Sequence, residues 1–164
     1  MNKKVFFLLL ALIVPVLVFI FLKFFGKNEF SVEPLYQSQE SKLPAGCAGI
    51  KWPYAIADSS FHFLKEGHEV DTLLVLFCES KAIDLEASEK QLTRLQEAFQ
   101  FGSGLGLRRI VRLNESLECV LILQPKIDLV LIDSHKRIRG QYSSNDRDEV
   151  DRLMTELDII LKRY

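Results

Sequence analysis

Apolar residues are spread unevenly along this chain, and their spacing changes from block to block. Residues 5–22 form one uncharged run of eighteen positions, all Leu, Ile, Val, Phe or Ala except Pro15. A helix over this run would be roughly 27 Å long at about 1.5 Å per residue, close to the ~30 Å hydrocarbon core of a bilayer. Lys23 follows it and can snorkel to the headgroups, and a proline is tolerated in such a span. The pattern predicts a membrane anchor over residues 1–26. A cleaved signal peptide would share the basic start at Lys3 and Lys4, but this core is long for one and no small-x-small site follows it. A short basic tail favours the amino terminus inside and the rest of the chain outside the inner (cytoplasmic) membrane.

Residues 27–54 show neither helical nor strand periodicity, carry Pro34, Pro44 and Gly46, and read as a stalk and lead-in loop. The remainder, 55–164, reads as one domain. Residues 61–68 suggest a short strand ending in a Glu66-Gly67 turn, and 72–77 are an apolar run of the length and bulk of a buried strand. Between Asp84 and Phe101 the positions Leu85, Leu92, Leu95 and Phe99 recur at helical spacing, which predicts an amphipathic helix stopped by Gly102, Gly104 and Gly106. Residues 107–113 then suggest a strand. Two short apolar runs, 119–123 and 129–133, lie on either side of Pro125. The second turns at 134–137 into a strand over 138–142, a hairpin. A last helix follows, capped by Ser144 or Asn145, with Asp146, Asp148 and Glu149 in its first turn and Lys162 and Arg163 in its last. Its apolar face is Val150, Leu153, Met154, Leu157, Ile160 and Leu161. This order predicts an α/β sandwich, a mixed sheet covered by helices.

Charge narrows the function classes. Residues 27–164 hold 18 Lys and Arg against 22 Asp and Glu, so the domain is mildly acidic and gives no basis for nucleic-acid binding. Three cysteines, Cys47, Cys78 and Cys119, form neither a C-x-x-C nor a zinc-type spacing. They are the candidate redox thiols. Cys78, at a strand end, reads first as a small buried hydrophobe. Cys119, beside Val120, Leu121 and Ile122, reads as core. Cys47, between small residues, reads as exposed and as the partner of choice in any disulfide. His62, His68 and His135 lack ligand spacing and read as surface residues. The glycines at 102, 104 and 106 follow a helix and lack the Lys-Ser/Thr of a nucleotide loop. Arg108, Arg109 and Arg112 read as a solvated strand face, with a surface for an acidic partner or lipid headgroups as the other reading.

At the C-terminal hairpin and helix the chain resembles a known family. The stretch from Leu129 through Asp133, Ile138-Arg139-Gly140-Gln141-Tyr142 and Glu149-Val150 to Met154 is similar to the Sco/SenC family of membrane-anchored copper chaperones for cytochrome oxidase. The region from Pro53 to Phe61 is similar to that family's approach to its first hairpin. The resemblance implies a thioredoxin-like fold behind one N-terminal transmembrane helix. It also implies a site of two cysteines spaced Cys-x-x-x-Cys and a distant histidine, ligands suited to copper and to disulfide exchange. Aligned on the buried strand, those positions fall on Ser80, Asp84 and about Pro125 in this chain. The expected site is therefore missing its ligands, and no metal or cofactor is expected. The implied reading is a non-catalytic domain acting on a protein partner in the membrane or periplasm, near respiratory-oxidase assembly. The alternatives are a copper-handling or thiol-redox protein with a rearranged cysteine site, and a structural membrane protein with no small ligand.

Overall fold

Side chains of one strand alternate between two cores, and this alternation organises the domain. The computed structural model describes residues 3–25, 31–38, 43–44, 46–47, 49–65, 73–101 and 104–161, without the side chains of residues 5–9, 22, 24 and 25. Strand β1 (Leu73–Cys78) is buried along its whole length. Leu73, Val75 and Phe77 enter one apolar cluster. Leu74, Leu76 and Cys78 enter another on the opposite face. A strand buried on both faces reads as a continuous apolar run because neither face meets water.

The chain divides into two units, Met1–Ser31 and Val32–Tyr164. In the first, helix α1 (Lys3–Phe25) is 23 residues long with Pro15 inside it. Its described apolar side chains, among them Leu12, Leu17, Phe19 and Phe21, are exposed. Among the described residues, no helix is long and apolar enough to cross a membrane.

The second unit contains helix α2 (Asp58–Lys65), β1, a 3-10 turn over Glu79–Lys81, α3 (Leu85–Ala98), β2 (Leu105–Ile110), α4 (Glu115–Val120), β3 (Leu129–Asp133), β4 (Ile138–Tyr142) and α5 (Arg147–Leu161). The strands form one sheet in the order β2-β1-β3-β4. Strand β2 runs parallel to β1, while β3 is antiparallel to β1 and β4 antiparallel to β3. Leu92 and Leu95 of α3 and Val150, Leu153 and Leu157 of α5 cover one face. Ile56, Leu64, Leu121 and Leu123 lie against the other, with Tyr36 and Tyr54 at its margin. The architecture is therefore a four-stranded mixed sheet between helices, as the order of apolar blocks predicts.

Three local expectations change. Residues 61–65 belong to α2 and not to a strand: Asp58 opens the helix, Leu64 is buried, and Phe63, which a strand would turn inward with Phe61, is 48% exposed. Glycine does not end α3, which stops at Ala98, with Phe99 extended and its N–H on the Leu95 carbonyl. Gly106 lies inside β2 opposite Leu74. Asn145 does not cap α5. Its side chain reaches Ile83 and Asp84, and the Asp146 carboxylate takes the Asp148 N–H at the helix start. The apolar run at 119–123, to which the sequence pattern assigns no element, is the end of α4 and its exit. Asn114 caps α4 by accepting from the Leu117 N–H at 2.8 Å. The N–H of Leu123 bonds the Glu118 carbonyl and that of Ile122 bonds Cys119, the pattern of a Schellman stop. Glycine normally occupies the position that Ile122 fills here with φ of 47°. Buried Gln141 holds this exit in place, donating to the carbonyls of Leu121 at 2.8 Å and Ile122 at 2.9 Å.

Candidate functional site

Ligands of open α/β sheets gather at the carboxyl ends of parallel strands, here the ends of β1 and β2. Cys78 closes β1 at that end. It is fully buried, and its N–H donates to the Asp128 carbonyl at 2.7 Å. Burial pushes its thiol up to about 12, with Asp128 adding to the effect and Lys81 opposing it. A thiol at that value holds its proton at neutral pH, so Cys78 is a poor nucleophile and a poor metal ligand.

The positions that the Sco/SenC resemblance assigns to thiols carry hydrogen-bonding side chains engaged within the domain. The Ser80 hydroxyl accepts from the Leu113 N–H at 3.4 Å, tying the turn after β1 to the loop after β2. Asp84 is the N-cap of α3, accepting from Glu86 and Ala87 at 3.0 and 3.1 Å. Asn145 clamps the same loop: its oxygen takes the N–H groups of Ile83 and Asp84 at 2.9 and 3.3 Å, and its amide donates to the Asp84 carbonyl at 2.9 Å. The free donors at the start of a helix are what would stabilise a thiolate or other anion. Here Asp84 supplies the negative charge itself. Pro125 is exposed in a turn, with the Ile127 N–H on the Gln124 carbonyl at 3.2 Å. A Lys81–Glu118 ion pair at 2.6 Å ties this end of the sheet to α4. Ile83, Leu85 and Val111 expose 69%, 43% and 57% of their surface.

Behind this surface lies a buried polar chain that sequence reasoning did not detect. Asp128 is 1% exposed and accepts from the Ser144 N–H at 2.6 Å. The Ser144 hydroxyl contacts its other oxygen and lies 2.6 Å from the Ser88 hydroxyl, which donates to the Asp84 carbonyl at 2.8 Å. Burial raises the Asp128 carboxyl above the ordinary range, against the hydrogen bonds from Ser144. With Asp128 protonated, each hydroxyl has one acceptor in a single direction, from Asp128 through Ser144 and Ser88 to Asp84. Nothing in the spacing of these residues in sequence announces the chain.

The two remaining cysteines are joined. Cys47 and Cys119 form a disulfide with Cα atoms 5.3 Å apart across a sequence separation of 72. Cys119, expected in the core, is half-buried on α4, because the apolar run that contains it is a helix end. Cys47, expected exposed, is likewise half-buried. Beside the bond is an open groove of about 420 Å³, lined by Lys51, Tyr54, Ser116, Cys119 and Val120 among others. Tyr54 donates to the Val120 carbonyl at 2.6 Å across it.

His62 is exposed on α2 and His135 in the β3–β4 turn, while His68 lies outside the described residues. Among the described residues, no three of His, Cys, Asp and Glu group to hold a metal ion. Arg109 pairs with Glu79 and Glu89, and Arg108 lies over the Phe63 ring at 5.3 Å, so both are engaged inside the domain. Arg112 is exposed. No protein-family model, no curated protein and no solved structure matches the chain.

Proposed function

We propose that this chain is a membrane-tethered, thioredoxin-like domain related to the Sco/SenC proteins, which works by holding a partner protein. It performs neither copper nor thiol chemistry at the end of β1. The observation that carries this reading is the closed start of α3, where Asp84 and Asn145 occupy the donors and the one nearby thiol, Cys78, is buried and protonated. The strand order β2-β1-β3-β4, with β3 alone running against the other three and with α3 and α5 on one face, supports a thioredoxin-like assignment. The exposed apolar side chains of Ile83, on the loop bonded by Asn145, of Leu85 at the start of α3 and of Val111 after β2 suit a protein contact. The Sco/SenC resemblance directs the choice of partner to the assembly of a respiratory oxidase.

The uncharged run at 5–22 in the sequence supports an inner-membrane anchor. A Cys47–Cys119 disulfide suits a domain on the oxidising, extracytoplasmic side. Mass spectrometry of the membrane-extracted protein tests the anchor: an intact amino terminus is expected, and a mature start near residue 27 would refute it.

A competitive Cu(I) titration of the full chain in detergent tests the absence of copper chemistry. The disulfide is kept intact, because reduced Cys47 and Cys119 would offer two neighbouring thiolates of their own. Binding no tighter than that of an unstructured thiol peptide, unchanged in Cys78→Ser, is expected. Tight one-to-one binding that disappears in Cys78→Ser would overturn the proposal.

A further inference from the structure

The described residues between Leu43 and Lys51 form a strap that is attached to the domain at one point. Among the described residues of this stretch the backbone hydrogen bond is local, from the Cys47 N–H to the Pro44 carbonyl at 3.3 Å. Backbone bonds to the rest of the domain resume only at Tyr54, on the Tyr36 carbonyl, and at Ile56, on the Lys136 carbonyl. Upstream, Leu35 bonds the Ile138 carbonyl and Tyr36 bonds Gln141; among the described residues between Tyr36 and Tyr54, the tie is the Cys47–Cys119 bond. Gly46 and Gly49 flank Cys47 with φ of 89° and 78°, conformations that favour glycine, and both have open space where a side chain would be. The strap thus has a flexible residue on each side of its one anchorage.

That anchorage is accessible. Both cysteines are partly exposed, unlike Cys78, and Cys119 lines the open groove beside Tyr54 and Ser116. Exposed disulfides are the ones that thiols reach and reduce, whereas buried structural ones resist.

We propose that the Cys47–Cys119 disulfide is a reducible fastener, opened by a dithiol donor that approaches along the groove, and that its opening frees the described residues between Leu43 and Lys51 and uncovers the groove wall formed by Tyr54, Ser116 and Val120. A donor thiolate attacks the Cys119 sulfur, a mixed disulfide forms, and the S–S bond breaks with Cys47 leaving as a thiolate that takes a proton from water. The donor's second thiol then attacks its own sulfur in the mixed disulfide and releases Cys119. The donor is oxidised to a disulfide and the domain gains two thiols, a balanced two-electron exchange. The strap then swings on Gly46 and Gly49, while the sheet and its helices, held by their own cores, remain folded.

Short-pulse hydrogen exchange on the full chain in detergent tests this, with dithiothreitol as the donor and alkylation to count thiols. Two thiols should become alkylated at neutral pH while Cys78 stays protected. Peptides covering 43–51 should then exchange at least about tenfold faster, with β1 and β3 peptides unchanged over the same pulse. Cys47→Ser should show the same local opening without reductant. Three outcomes would overturn the proposal: a bond that dithiothreitol leaves intact in the folded chain, a strap that stays protected after reduction, or labelling that spreads through β1 and β3. The last would make the disulfide a staple of the whole domain.

Discussion

The phenol of Tyr142 folds back over Gly140, two residues earlier on β4, and a β-carbon built on Gly140 would overlap the phenol oxygen. Tyr142 is fully buried, donates to the Glu156 carboxylate at 2.5 Å and has the Arg152 guanidinium 4.5 Å from its ring centroid. The Gly-x-Tyr pattern that contributes to the Sco/SenC resemblance is thus, in this domain, a packing device that docks β4 on α5.

Gly140→Ala should therefore destabilise the domain by about 2 kcal/mol, because the ring must move from its place in the core and cannot do so without straining its neighbours. Urea unfolding checks it. A variant as stable as the parent would mean that Tyr142 is free to repack.

Leu153 is fully buried on α5 against the sheet, and Leu153→Ala should cost on the order of 2 to 5 kcal/mol. A loss below about 0.5 kcal/mol in the same measurement would mean that this helix face is not packed.

Asp133 clamps the β3–β4 turn, accepting from the N–H groups of His135 and Arg137 at 2.9 Å and from the side chains of Arg137 and Arg139 at 2.9 and 2.8 Å. Burial acts to raise its pKa, but the hydrogen bonds from Arg137 and Arg139 outweigh it and hold the carboxyl below the ordinary range. A lowered carboxyl contributes stability that is present above the unfolded value, about 3.9, and is lost as pH falls through the folded one. Asp133→Asn should thus lose roughly 2 kcal/mol at pH 7. Its thermal midpoint should approach that of the parent at the most acid pH at which both stay folded.

The opposite sign is expected at Asp128, whose carboxyl burial raises. Its contribution is fully present below the unfolded value and declines as pH rises through the folded one. Asparagine reproduces the protonated acid, accepting from the Ser144 N–H and donating to its hydroxyl. Asp128→Asn should therefore be no less stable than the parent at pH 7 and flatten the fall of stability as pH rises above the unfolded carboxyl value, about 3.9. Asp128→Ala, which strands the buried Ser144 N–H and removes one partner of its hydroxyl, should be clearly destabilised at every pH. An Asn variant as damaged as the Ala variant would show that the carboxylate charge itself is required.

What the chain determined by itself is what a local pattern can encode. The apolar run at β1, the 3.6-residue repeats of α3 and α5 and the β3–β4 hairpin are each long enough, or punctuated clearly enough, for their periodicity to identify them. So is the uncharged stretch of α1. Helices α2 and α4, of eight and six residues, are too short to establish a period, and the aromatic and apolar runs within them resemble strands. Tertiary structure alone decided the rest. The pairing of Cys47 with Cys119 spans 72 residues and depends on where α4 settles on the sheet. Asn145, which by position alone is a helix cap, serves α3 because the loop before that helix passes within its reach. Asp128, Ser144 and Ser88 come from three separate stretches, and only the closing of the sheet against α3 removes them from water and makes their hydrogen bonds obligatory. Spacing along a chain reports which residues share a face of one element. It carries no record of which elements then meet.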